Sequence, residues 1–231
     1  MRVGIDLCDV RAIERSIELF GDRFLHRICT DAELAYCTAT PHATAERVAA
    51  RFAAKEACRK VLGAGPPWWT SIEVVRDAHG RPGLVLHGGA ADQAAAIGIT
   101  DLAVSLTHEE NLAGAVVMAG LRADEHRSSF DHATPPEPQE SPMSTIATRD
   151  TIVGAVHQIV VEHGRLARGA DDLGELDDLY EAGMTSHSSV NVMLAVEDHF
   201  DVEFPDSMLR RDTFQSVAGI SNAVAQLLGG A

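Results

Sequence analysis

The chain has 231 residues, 45% hydrophobic but only 5% aromatic, with a formal net charge of −15. That length allows one large or two small domains, with cores built mainly from Ala, Val, Leu and Ile. The charge is uneven, net −3 over residues 1–121, −3 over 122–143 and −9 over 144–231. So acidic a C-terminal part weighs against nucleic acid and anionic membrane as partners; it fits a small domain docking on basic patches, or a solvated surface.

In chain order, Val3–Leu7 is a short strand, and Val10, Ile13, Ile17 and Phe20 recur at helical spacing. Thr30-Asp31-Ala32-Glu33 has the form of a capping box. The Ala-rich, Gly-free run from Ala43 to Leu62 predicts one long helix, stopped by Gly63 and Pro66-Pro67. Ile72–Arg76 and Leu84–Leu86 are strands around a turn, Ala90–Ile97 a helix, and Leu102–Leu106 and Ala113–Met118 further strands. This is an α+β domain over 1–121.

Residues 122–143 hold four prolines, seven charges and almost nothing apolar, which predicts a flexible linker. A coil of that length would span roughly 25–30 Å. Met143-Ser144 has the look of a former chain start, the fusion point of two proteins. Residues 144–231 predict an all-α four-helix domain: a first helix carrying Ile146, Val153, Val156, Ile159 and Val160, an acidic loop Asp171–Asp178, a helix Ser186–Phe200, a short element opened by Pro205-Asp206, and a last helix Thr213–Leu228. Cys8, Cys29, Cys37 and Cys58 show no metal spacing and sit in apolar patterns, which predicts buried free thiols. No apolar run reaches a membrane span, and Asp6 and Asp9 break any secretory segment, so a cytoplasmic chain is expected.

Asp6 follows the first strand and Glu56 sits in the long helix. Two carboxylates from different elements suit Mg²⁺, which keeps water and phosphate as its other ligands. Arg51, Lys55 and Arg59 align along the helix, and Lys60 lies one turn after Glu56. Cations beside Mg²⁺ hold diphosphates, although spacing alone favours an ordinary Glu56–Lys60 surface pair.

Five segments in order, G-I-D-L (4–7), R-F-L-H-R-I-C-T-D-A-E-L (23–34), R-F-A-A-K-E-A-C-R-K-V-L-G (51–63), D-A-H-G-R-P (77–82) and S-L-T-H (105–108), resemble holo-acyl-carrier-protein synthases, the small and usually trimeric 4′-phosphopantetheinyl transferases. The resemblance implies Asp6, Glu56 and Lys60 as catalytic residues, Asp6 and Glu56 as the Mg²⁺ ligands and Lys60 near the diphosphate of coenzyme A. It implies Arg51 and His108 in the coenzyme A site, contributed by a neighbouring subunit; alone, His108 would read as a satisfied strand-end histidine. Arg11, Arg23 and Arg27 match basic positions that dock the carrier. Ala12 stands where many relatives have Arg, which shifts weight to Arg11 or Arg15.

The segment 178–198, D-L-Y-E-A-G-M-T-S-H-S-S-V-N-V-M-L-A-V-E-D, resembles the prosthetic-group region of acyl carrier proteins, with Ser186 at the 4′-phosphopantetheine position. Ser186 at a helix start also fits a plain N-cap. Most carriers have Asp-Ser-Leu where this chain has Thr185-Ser186-His187, which removes one acidic docking group. Asp178, Glu197 and Asp198 remain as docking candidates. The implied activity is transfer of 4′-phosphopantetheine from coenzyme A to a carrier serine, including its own Ser186, in a homotrimer serving acyl-handling enzymes of fatty acid or related biosynthesis. The alternative is a non-catalytic trimer scaffold whose carriers an external transferase modifies.

Overall fold

The computed structural model describes residues 1–63, 69–122, 146–167 and 173–229. Nearly all of the expected linker, Met143-Ser144, Pro66-Pro67, the Ile146 side chain and the start of the acidic loop lie outside them.

The first half has strand β1 (Arg2–Asp9), helices α1 (Val10–Phe20), α2 (Asp22–Ile28) and α3 (Asp31–Thr38), and the long α4 (Thr44–Leu62). Strands β2 (Ile72–Arg76) and β3 (Pro82–Leu86) form a hairpin, followed by α5 (Gly88–Ala96), β4 (Ile99–Glu109) and β5 (Leu112–Leu121). The main sheet is antiparallel in the order β1-β5-β4 and packs on α4. The expected strands are all present, each longer than or equal to its sequence pattern.

β1 lies on α4 because position 4 is glycine: a Cβ there would fall 2.0 Å from the Ala57 carbonyl oxygen. The strand's period of two then aims Gly4, Asp6 and Cys8 at α4 and Val3, Ile5 and Leu7 outward. The helix ends at Gly63, in the left-handed region at φ 89°.

Lys55 corrects one expectation. It does not continue a basic row on the ligand side but is fully buried, donating to Glu33 (2.6 Å), the Ile28 carbonyl (2.7 Å) and the Trp69 carbonyl (2.6 Å). Glu33 also accepts from the backbone N–H groups of Thr30 and Val74, so this fully bonded pair ties α3, α4 and the β2 hairpin together. The capping box at Thr30 and Glu33 forms as expected, and all four cysteines are buried free thiols.

The second half has α6 (Ile146–His163), α7 (Ser186–Phe200) and α8 (Val217–Gly229). The expected third helix is two short 3-10 turns, Asp206–Met208 and Asp212–Phe214, and the second of these takes the start of the expected last helix. Pro205 and the run of polar residues 210–213 leave too little apolar periodicity for a longer helix there. Val156 and Val160 of α6, Val190 and Leu194 of α7, and Ile220 and Val224 of α8 fill the core between the helices.

Candidate active site

Asp6 and Glu56 line one cavity of about 290 Å³, and Ser186 of the second half opens into the same cavity. Asp9, Arg165 and Thr185 share its wall. Lys60 donates to Asp6 Oδ1 and to the Ile5 carbonyl, both at 2.7 Å, so its partner is Asp6 across to β1 rather than Glu56 one turn back. Glu56 Oε1 accepts from Arg59 at 2.5 Å and from Trp69 Nε1 at 3.0 Å. Burial pushes the Asp6 carboxyl above its ordinary value; Lys60 and Arg59 pull it down, and the Glu56 charge pushes it further up.

The donor set fits Mg²⁺. Two hard carboxylates converge on one cavity beside a hydroxyl, and among the described residues no group of three or more His, Cys, Asp or Glu side chains could close a full protein cage. An ion held by two carboxylates keeps positions for water and substrate oxygens.

Ser186 is the first residue of α7, half-buried, and is not the cap. Thr185 takes that role: its Oγ1 accepts from Ser188 N at 3.1 Å, and Ser188 Oγ accepts from Thr185 N at 2.9 Å. Threonine therefore keeps the capping function that aspartate would have supplied. The turn ahead of it needs Gly183, at φ 114°, where a Cβ would also crowd Ala167 N at 3.1 Å. The free amides at the start of α7 favour a phosphate on Ser186.

Arg51 and His108 come together in a different cavity, of about 430 Å³. Arg51, Arg47 and Arg76 stand over the Tyr36 ring at 4.3, 4.8 and 5.1 Å from its centroid. His108 Nδ1 lies 3.3 Å from Glu46. Arg51 Nε is buried with no hydrogen-bond partner among the described residues, an unused donor in a cationic cleft. Arg51 and Glu56 point about 140° apart around α4. Within one chain the structure thus joins Asp6, Glu56, Lys60 and Ser186, and separately joins Arg51 and His108.

The two halves meet along α2 and α7. Arg23 bonds both Glu197, at 3.1 Å, and Asp198, and Arg27 bonds Glu197 at 2.7 Å. Glu197 is buried and also accepts from Phe204 N at 2.9 Å. Arg23, Arg27, Glu197 and Asp198 are in the expected contact. Arg11 is not: its guanidinium donates to Asn111 Oδ1 at 3.0 Å. Asp178 turns inward on its own half, accepting from Gln215 at 2.6 Å and from Tyr180 N and Glu181 N.

Sequence reasoning missed Trp69, Arg165, Arg47 and Arg76. Only Arg47 had a signal, one turn before Arg51 on the same helix face.

Residues 2–116 match the 4′-phosphopantetheinyl transferase superfamily, and residues 163–224 match the phosphopantetheine attachment site family. The chain is similar to a holo-[acyl-carrier-protein] synthase of Koribacter versatilis, at 47% identity over 118 residues, covering 50% of this chain and 94% of that protein. A holo-[acyl-carrier-protein] synthase of Methylobacterium nodulans is 53% identical over 98 residues, 41% of this chain and 74% of that protein. The crystal structure of holo-[acyl-carrier-protein] synthase from Neisseria meningitidis superposes with a TM-score of 0.47 at 31% identity, covering 51% of this chain and 96% of that one. The site geometry, the two family matches and the sequence relatives meet in one conclusion: the chain belongs to the 4′-phosphopantetheinyl transferase superfamily, a holo-acyl-carrier-protein synthase that carries a phosphopantetheine-attachment domain in the same polypeptide.

Proposed function

We propose that this transferase modifies its own carrier domain on Ser186, in a Mg²⁺-dependent reaction with coenzyme A. The observation that carries the reading is the shared cavity of Asp6, Glu56 and Ser186. The division of the chain into a transferase over 1–121, a connecting segment over 122–143 and a carrier over 144–231 belongs to the same reading.

In the reaction the Ser186 oxygen forms a bond to the pantetheine-side phosphorus. The bond from that phosphorus to the bridging oxygen breaks, and adenosine 3′,5′-bisphosphate leaves. Such transfers need positioning and charge neutralisation more than covalent help. Asp6 and Glu56 would hold Mg²⁺, which when bound neutralises charge on the diphosphate. Lys60 and Arg165 add positive charge at the cavity. Arg23 and Arg27 hold α7 by Glu197 and Asp198, and Thr185 fixes the helix start, so Ser186 is aimed into the cavity. The hydroxyl proton has the carboxylates of Asp6, Asp9 and Glu56 in the same cavity to receive it.

Arg51 and His108, with the unpartnered Arg51 Nε, would bind coenzyme A across a subunit boundary in a homotrimer. Two observations support this: their cavity is separate from that of Asp6 and Glu56, and the outer sheet face is apolar and exposed at Val3, Ile5, Leu7, Val116 and Met118. The loaded carrier would then hold acyl groups as thioesters for fatty acid or related biosynthesis, in the cytoplasm, where buried free thiols are ordinary. Among the described residues no helix is long and apolar enough to cross a membrane.

Replacement of Ser186 by Ala tests the assignment. Incubated with coenzyme A and Mg²⁺, the variant should gain no phosphopantetheine while still modifying an added carrier. Continued labelling of the variant chain, at Ser188 or Ser189 for example, would contradict it.

A further inference from the structure

His187 departs from the leucine that most carriers have after the attachment serine, and the structure gives the departure a partner. The imidazole is only 8% exposed. The rings and hydroxyl around it belong to the transferase: Phe24 of α2 and Phe52 of α4, each edge-on at 5.8 Å, and Ser16 of α1, whose Oγ lies 3.0 Å from His187 Nε2. Ser16 is fully buried and gives its one hydroxyl proton to the Ala12 carbonyl at 3.1 Å. Its oxygen is thereby left as an acceptor, so a neutral imidazole donates to it from Nε2.

We infer that Ser16 and His187 are a specificity pair, by which this transferase prefers its own carrier over carriers with an apolar residue after the attachment serine. The inference rests on the reading of Ser186 as the attachment site. The pair is asymmetric. With leucine at 187, Ser16 still has its bond to Ala12, so only one favourable hydrogen bond is lost. With alanine at 16, the buried N–H of His187 is left without an acceptor, which is costlier. The aromatic walls accept either ring or aliphatic side chain, so discrimination comes from the one polar contact. Ser16 touches neither the Ser186 hydroxyl nor the carboxylates, so its role is positioning.

The test is a competition in the full-length apo chain. Coenzyme A and Mg²⁺ are supplied in limiting amount beside an equimolar acyl carrier protein with the Asp-Ser-Leu sequence, and the ratio of label on Ser186 to label on the added carrier is read by mass. Ser16→Ala should lower the ratio roughly ten- to hundredfold, and His187→Leu by about fivefold. In the His187→Leu background, Ser16→Ala should cost little further, because no buried donor remains to be stranded. A Ser16→Ala loss of equal size in both backgrounds would overturn the pair, as would an unchanged ratio in His187→Leu, a variant whose own labelling shows that it folds. Label on the added carrier alone in the wild-type chain would instead overturn the reading of Ser186, and the pair with it.

Discussion

Burial holds the His187 imidazole down at about 4 from an ordinary 6.5; Arg165 and Arg15 add to the shift and Asp9 opposes it. The docked carrier therefore favours the neutral ring. That preference is fully present above the ordinary value and is lost as pH falls from 6.5 towards 4. Each unit of that preference is worth about 1.4 kcal/mol. Self-modification by the wild-type chain should accordingly decline below about pH 6.5 relative to the His187→Leu variant. Parallel pH profiles for the two proteins would show that the ring does not titrate against docking. At this scale the sequence pointed to Asp6, Glu56, Lys60 and Ser186, since each sits in a motif with a fixed neighbourhood. His187 read there only as a departure from the usual Asp-Ser-Leu, beside the acidic group lost at Thr185. Its environment comes from Ser16, Phe24 and Phe52, distant in the chain, and no local pattern encodes that meeting.

β1 and α4 show how elements set the site. Gly4 was visible as part of G-I-D-L, but its reason, contact with the Ala57 carbonyl, needed the packed structure. Periodicity gave α1, the Ala-rich and Gly-free composition gave α4, and apolar runs bounded by turn residues gave the strands. The short third element of the carrier is two 3-10 turns, in a polar stretch where local turns compete well with a longer helix. Periodicity also placed Lys55 with Arg51 and Arg59, because helical spacing reports a face only coarsely and cannot tell a buried pair from a basic row. β1 itself inverts the usual pattern: Val3, Ile5 and Leu7 are 57%, 59% and 62% exposed, while Gly4 and Cys8 are buried. With Val116 and Met118 opposite, they form an apolar face suited to a second copy of the chain. Sedimentation should give about three times the chain mass of 24.7 kDa, and Ile5→Glu should lower it. A wild-type species at 24.7 kDa would contradict the trimer.

The whole molecule brings together an acidic half and the basic positions that receive it. The charge asymmetry, net −9 after residue 143, was legible in composition. Its use is narrower than composition suggested: Glu197 and Asp198 meet Arg23 and Arg27, whereas Asp178 braces its own domain and Arg11 bonds Asn111. A count of charges cannot choose among them; the choice follows from which face of α7 lies beside α2. The same docking puts Ser186 into the cavity of Asp6 and Glu56, so the proposed attachment serine lines the transferase's own cavity within one polypeptide. Intact-mass spectrometry of the unmodified chain, before and after incubation with coenzyme A and Mg²⁺, tests that arrangement most directly. A gain of one phosphopantetheine per chain is expected, slowed roughly hundredfold or more by Asp6→Ala. A wild-type chain that starts unmodified and gains nothing would contradict it, and would favour a scaffold whose carriers are loaded by another enzyme.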